Sequence, residues 1–337
     1  MSEQGATGAR ASETELIARY FAPLATEPST FQLGDDAAYL RPRAGCDLVV
    51  TKDMLVAGVH FFPDDPPGAI AKKALRVNLS DLAAKGARPL GYLIGLGLTG
   101  DWTEAWLQAF SNGLAQDQET YGITLLGGDT VSSPERLTLS ITAFGTVPEG
   151  RMVRRGGARA GDLICVTGTI GDAALGLQLR LDAGLTTAVR LTGDQAAFLK
   201  NRYLLPQPRC RLASVLGQHA SAGMDISDGL VGDLAKMAAV SHVRIDIDID
   251  KVPLSDAAKA ACAARPDLLR TALTGGDDYE LAIACAPASL SSFVEAGKKA
   301  GVAVSVIGSA SEGSGLGLAG ARGDLADWAD RGSFSHF

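Results

Sequence analysis

The chain has 337 residues, 46% hydrophobic and 20% charged, long enough for one large core or two, and two are expected. With 31 Lys and Arg against 38 Asp and Glu the net charge is −7, and no basic cluster is available for phosphate backbones, which excludes a nucleic-acid binder and leaves small ligands and cations as partners. Five cysteines, Cys46, Cys165, Cys210, Cys262 and Cys285, are odd in number and form no CxxC, so neither a disulfide framework nor a thiolate metal site is expected and the compartment reads as the reducing cytoplasm.

The opening MSEQGATGARASETE has no apolar signal core, and no apolar run reaches the ~18 residues of a membrane helix. A soluble, cytoplasmic protein with no membrane partner is expected, with residues 1–11 disordered. From Ser12 the pattern changes: Ser12 and Glu15 have capping-box spacing, and Leu16, Ile17, Tyr20, Phe21 and Leu24 repeat at helical intervals. A strand at 46–53, a helix at 67–86, a strand at 89–98, a helix at 103–121 and strands at 123–128 and 136–147 follow, and the first half closes near Val147–Arg151. The second half reads as a strand within 157–169, helices, the stretch GMDISDGLVGDL (223–234), strands at 243–249, 279–286 and 302–308, and a helix near 291–300. The expected division is 1–11, 12–149 and 150–337. SDLAAKG (80–86) echoes GDLAKMA (232–238), and GGDT (127–130) echoes GGDD (275–278), matches too short to establish a duplication.

Acid collects at strand ends and turns: Asp35 and Asp36, Asp53, Asp81, Asp129, Asp225 and Asp228, Asp277 and Asp278. A single Gly-Asp is more often a turn or cap than a ligand. Several carboxylates converging beside apolar strands would repel one another in a low-dielectric cleft and call for cations. With no Cys and few His among them the site is hard oxygen, so Mg²⁺ or Mn²⁺ rather than zinc is expected, and Gly-rich turns beside it suggest a Mg-nucleotide enzyme.

Other motifs fail on their context. RIDIDIDK (244–251) lacks the Gly and Glu of a calcium loop and reads as a strand with one solvated acidic face. Gly95, Gly97 and Gly100 have dinucleotide spacing, but Asp101 and Glu104 read as a self-capping pair on the next helix that would repel a pyrophosphate. Gly315, Gly317 and Gly320 lie too near the end to open a βαβ unit, and no Walker A sequence or HExxH is present. His60, before two Phe and a Pro-rich turn, suits a cleft or an exposed loop equally.

Taken in order, GDDAAYL, TKDMLVAGVHF, KALRVNLSDLAAKGARP, LLGGDT, RRGGARAGDLICVTGTIGDAALGL, MDISDGLVGDLAKMA and TGGDDYELAIA resemble the thiamine-monophosphate kinase family over nearly the whole chain. The resemblance implies a mixed α/β fold of two domains of the aminoimidazole ribonucleotide synthetase-like type, with N-terminal domains pairing in a homodimer. It implies transfer of the γ-phosphate of ATP to thiamine monophosphate with several Mg²⁺ ions, K⁺ being a further candidate ion. By position, Asp36, Thr51, Asp53, Asp81, Asp129, Asp225 and Asp228 resemble metal ligands; Gly128, Asp129, Arg155 and Ser227 resemble ATP contacts; His60 and Asp277 resemble substrate contacts. No general base is implied, because the acceptor is already an anionic phosphate. Lys52 stands where the family has Thr, Asp277 where it commonly has Glu, and Arg331 where it often has an aromatic residue, for which Trp328 or Phe334 is the substitute. The alternatives are a superfamily sibling with another acceptor and a non-catalytic nucleotide-binding module whose metal cage Lys52 has spoiled.

Overall fold

The computed structural model describes residues 12–320, so Trp328, Arg331 and Phe334 and the expected disorder of 1–11 lie outside the described residues. The capping box forms: in α1 (Glu13–Leu16) the Glu15 carboxylate accepts from the Ser12 amide at 2.7 Å and the Glu15 amide donates to Ser12 Oγ at 3.3 Å. The predicted single helix does not run on to Leu24. It widens to a π-helical turn at Ile17–Phe21 and tightens to a 3₁₀ turn at Ala22–Leu24, where Pro23 has no amide to donate.

The first sheet holds β1 (Cys46–Val56), β2 (Arg88–Leu98), β3 (Thr124–Ser132) and β4 (Thr138–Pro148), in the order β1-β4-β2-β3, with only β2 and β3 parallel. The helices α2 (Pro67–Ala84) and α3 (Glu104–Tyr121) share its core. Period-two alternation sends Leu139, Ile141, Ala143 and Val147 inward, and leaves Leu48, Val50, Met54, Leu93 and Val131 exposed. Gly95 and Gly97 are interior to β2 and make no phosphate turn. The predicted Asp101–Glu104 cap is also absent: Thr103 caps α3 by accepting from the Trp106 amide at 3.1 Å, and Glu104 pairs with Arg19 at 2.9 Å.

The second sheet runs β10-β7-β9-β5-β8-β6, from β5 (Leu163–Thr167), β6 (Ala222–Asp225), β7 (Arg244–Asp248), β8 (Leu281–Cys285), β9 (Val304–Ser311) and β10 (Gly315–Ala319). Around it lie α4 (Asp172–Leu181), α5 (Leu185–Ala188), α6 (Gly193–Leu204), α7 (Ala213–His219), α8 (Leu230–Ser241), α9 (Asp256–Ala264), α10 (Leu268–Thr274) and α11 (Leu290–Lys299). In β7 Ile245 and Ile247 are buried while Asp246 and Asp248 are half-exposed, the solvated acidic face read from RIDID. The second glycine triplet supplies an unpredicted edge strand, β10, parallel to β7.

The two halves are packed together. Ala84 at the end of α2 shares a buried cluster with Val153, Leu212, Leu216, Leu281, Ile283 and Phe293. This seam sets the C-terminal end of α2 against β6, where a Cβ on Gly223 would come to 3.0 Å from the Ala84 carbonyl oxygen. Among the described residues no helix is long and apolar enough to cross a membrane.

The same helix approaches α3 backbone to backbone: a Cβ on Gly113 would stand 2.4 Å from the Gly68 carbonyl oxygen. Gly113→Ala should therefore part the helices and lower stability by about 1–3 kcal/mol, read as a lower urea midpoint at unchanged m-value; an unchanged midpoint would show that the contact yields freely.

Candidate active site

Four aspartates meet at the seam. Strand periodicity puts Thr51 and Asp53 on one face of β1, and Thr51 Oγ1 donates to Asp81 Oδ2 near the end of α2. Asp225 ends β6 and is almost fully buried, and Asp228 follows in the turn before α8. Burial, then the charges of Asp81 and Asp228, push the Asp53 carboxyl up to about 7, with Lys52 opposing. Burial, then Asp81, holds Asp225 well above the usual carboxylate range. Burial pulls the Lys85 ammonium down, Asp225 opposes that, and Arg155 adds to it, which places Arg155 within electrostatic reach of the cluster. Lys85 Nζ donates to the Gly223 carbonyl at 2.9 Å.

The turn 225–229 is held from both sides. Asp233 Oδ2 accepts from the Ser227 and Asp228 amides at 3.0 Å each, so of the three acids in GMDISDGLVGDL it is the one that shapes the turn. Gly229 has φ 109°, and a Cβ there would lie 2.5 Å from the Thr274 carbonyl oxygen, so only glycine closes this turn against α10. Asp228 pairs with Lys236 at 2.5 Å, and Lys236 also reaches Asp233 at 2.9 Å.

A second group lies elsewhere. Asp36, Gly128 and Asp129 line a cavity of about 590 Å³ together with Asp35, Lys52 and Ser140. Lys52 Nζ is bonded to Ser140 Oγ on β4, so the lysine side chain leaves β1 on the face opposite Asp53. Gly128 is there for space: a Cβ would stand 2.0 Å from the Ile94 carbonyl oxygen. The structure thus gathers Thr51, Asp53, Asp81, Asp225, Ser227 and Asp228 at the seam, and Asp36, Gly128 and Asp129 around a cavity on the other side of β1.

His60 is half-buried; its Nδ1 accepts from the Val56 amide at 3.0 Å, which leaves Nε2 as the ring's donor, and its carbonyl accepts from Tyr203 Oη at 3.3 Å. Asp277 binds Lys73 Nζ at 3.1 Å, and that buried ammonium lies 3.8 Å from the centre of the Tyr203 ring. Sequence reasoning passed over Lys73, Lys85, Tyr203 and Tyr279. The signal for Lys73 was present, since it shares a helical face with Ile70 and Val77 and a lysine on an apolar face needs a partner. Desolvation raises the Tyr279 phenol well above its ordinary value, and Asp277, Asp53 and Asp225 add to it, which ties that ring to Asp277 and to the seam acids.

A divalent cation fits the seam by donor chemistry. The side chains are carboxylates and hydroxyls, and Ser80 Oγ, buried beside Asp225, is a further oxygen of the same kind. Among the described residues no three His, Cys, Asp or Glu side chains stand close enough to hold an ion by themselves. An ion here therefore draws further ligands from water or phosphate oxygen.

This two-sheet chain with acid at its seam has the architecture of the AIR synthase-related proteins. Residues 34–147 match the AIR synthase related protein N-terminal domain and residues 159–320 the corresponding C-terminal domain. The chain is 40% identical over 320 residues to the thiamine-monophosphate kinase of Caulobacter vibrioides, covering 93% of this chain and 89% of that one. With the enzyme of the same name from Escherichia coli strain K12 it shares 42% over 271 residues, 80% and 81% of the two chains. Of solved structures, it resembles the thiamine-monophosphate kinase of Stenotrophomonas maltophilia at 40% identity and TM-score 0.78, over 85% and 89% of the chains. A structure described as AaThiL complexed with AMPPCP and TMP matches at 32% identity and TM-score 0.75, over 90% and 91%. The chain belongs to the thiamine-monophosphate kinase family.

Because the folded-state value of Asp53 lies above the unfolded one, the native state binds more protons than the unfolded state between pH ~4 and ~7, and its contribution turns increasingly unfavourable as pH rises to about 7. In chelator, Asp53→Asn should raise the thermal midpoint relative to wild type at pH 8 by roughly 1–3 °C and narrow the gap at pH 5. A midpoint lower than wild type at both pH values would show that the charged carboxylate stabilises the fold.

Proposed function

We propose that the chain transfers the γ-phosphate of ATP to the phosphate of thiamine monophosphate, producing thiamine diphosphate and ADP. The observation that carries this reading is the gathering of Asp53, Asp81, Asp225 and Asp228 at the seam of a chain 40% identical, over nearly its whole length, to a thiamine-monophosphate kinase. AMPPCP and TMP bound together in a relative of matching fold support the same pair of ligands here.

In this reading Asp36, Thr51, Asp53, Asp81, Asp129, Asp225 and Asp228 hold Mg²⁺, with K⁺ as a further ion. When bound, the cations supply the positive charge that two approaching polyanions require. Gly128, Asp129, Arg155 and Ser227 contact ATP, the guanidinium of Arg155 meeting phosphate. His60 and Asp277 contact the substrate, the carboxylate of Asp277 being oriented by Lys73. No residue is required to remove a proton, because the attacking oxygen belongs to a phosphate already ionised at neutral pH. The side chain of Lys52, turned toward Ser140, points away from the seam acids and lines the cavity of Asp36 and Asp129.

Residues 12–149 form the ATP, metal and dimerisation domain in this proposal, 150–337 the second domain, and the cytoplasm is the compartment. A second copy covers the exposed apolar side chains Leu48, Val50, Met54, Leu93 and Val131, because that much apolar surface on one sheet is otherwise an aggregation hazard.

A coupled assay of ADP release with thiamine monophosphate, ATP and Mg²⁺ tests the activity; no release above background overturns it. Asp53→Asn and Asp225→Asn should each lower turnover by about two orders of magnitude or more while keeping the wild-type circular dichroism spectrum. For the assembly, light scattering should give a dimer mass for wild type and a monomer mass for Val50→Glu with Met54→Glu; equal masses refute this interface.

A further inference from the structure

A cavity of about 550 Å³ opens at the seam and shares no lining residue with the acid cluster. Both halves contribute to it: Arg88 at the start of β2 and Tyr121 at the end of α3 from one, Arg209 and Arg211 before α7 and Val302 after α11 from the other. Three arginines and, among the described residues, no carboxylate line it. Arg88 and Arg211 are exposed, and among the described residues their guanidinium groups have no ion-pair or hydrogen-bond partner. In a chain of net charge −7 this is a local concentration of uncompensated positive charge. Planar guanidinium groups recognise phosphate oxygens through paired N–H donors, and the volume lies in the range of small-molecule sites.

Arg209 connects this cavity to the active site. Its Nε donates to Glu280 Oε2 at 2.6 Å and its Nη2 to Glu280 Oε1, and the same buried carboxylate accepts from Arg202 at 3.0 Å and from Thr167 at 2.7 Å. Glu280 adjoins Tyr279, whose amide donates to the Ile226 carbonyl at 2.9 Å, and the Asp277 amide donates to the Ser227 carbonyl at 2.9 Å. The segments 225–228 and 277–280 are thus joined as one hydrogen-bonded ladder, anchored at Glu280. An anion that draws on Arg209 weakens that anchor, since a buried carboxylate is sensitive to any partner it loses.

We infer that this cavity binds a small phosphate-bearing anion through Arg88, Arg209 and Arg211, and that Arg209 transmits its occupancy through Glu280 to the segment 277–280.

The test uses the full chain, inorganic diphosphate as probe and chelator throughout, so that the seam aspartates, without cations, repel the probe from the active site. Calorimetry should give one saturable site in wild type, weakened at least ten-fold in Arg88→Ala/Arg211→Ala and unchanged in Arg155→Ala. Hydrogen exchange of amides 277–281 should change on adding diphosphate to wild type and not to the double variant. Absence of saturable binding in wild type, equal affinity in the double variant, loss of binding in Arg155→Ala, or binding with no change at 277–281 overturns the inference. Neither readout involves turnover, so an inactive enzyme leaves this test intact.

Discussion

Asp53, Asp81, Asp225 and Asp228 come together where the two halves meet, and after burial itself the charge of Asp81 makes the carboxyls of Asp53 and Asp225 harder to ionise. The chain's own cations offset only part of this. Lys236 is taken by Asp228 and Asp233, Thr51 gives its hydroxyl to Asp81, and Lys85 spends a donor on the Gly223 carbonyl. Asp53 and Asp225 are left with raised carboxyl values and no ion pair among the described residues. A protein that needed only stability would replace such acids with apolar side chains at no loss, since buried like charge works against folding. Under the proposed function their presence is intelligible, because a cation and a polyphosphate would together offset this charge.

The contrast with the structural acids in the same region sharpens this. Asp278 is fully buried, yet its carboxylate accepts from the Gly171 amide at 2.8 Å, and Glu280 is enclosed by two arginines and a threonine. Asp117 is met by both arms of the Arg76 guanidinium at 2.7 and 2.8 Å. Asp172 takes hydroxyls from Thr169 and Ser255. These acids have their lone pairs satisfied by the fold, as buried polar groups ordinarily do. The seam acids Asp53 and Asp225 have no ion pair among the described residues, and that difference sets them apart from the framework acids more cleanly than burial does.

Much of this was readable from residue order. Alternation in β1, the helical period of 67–84 and the acidic face of β7 are local properties, and they came out as their patterns implied. What the chain order hid was which face of a strand each acid leaves from. Lys52 and Asp53 are neighbours in sequence and depart to opposite sides of β1, so Asp36 and Asp129 join the former and Asp81 and Asp225 the latter. The short echoes sit differently in their helices: SDLAAKG closes α2 while GDLAKMA lies within α8. The cap of α3 was misplaced because Asp101 and Thr103 are both good capping types, and only the turn geometry chooses between them.

Around Asp277 the same logic of incomplete compensation recurs with opposite sign. Lys73 is a buried cation whose solvation is replaced by the Tyr203 ring and by Asp277, so the ammonium holds that carboxylate in place instead of water. Asp277 and Tyr279 both have positive φ, 72° and 51°, a conformation costing on the order of 1 kcal/mol for residues other than glycine, and Gly275 and Gly276 before them are pressed against Ala174 and Ser227. Strain of this kind persists only where surrounding contacts overdetermine it, and here those contacts are the Lys73 pair, the ladder to Ile226 and Ser227, and the Glu280 anchor. The left-handed turn at Asp277, clamped by Lys73 from α2, fixes where that carboxylate stands and keeps it from turning away.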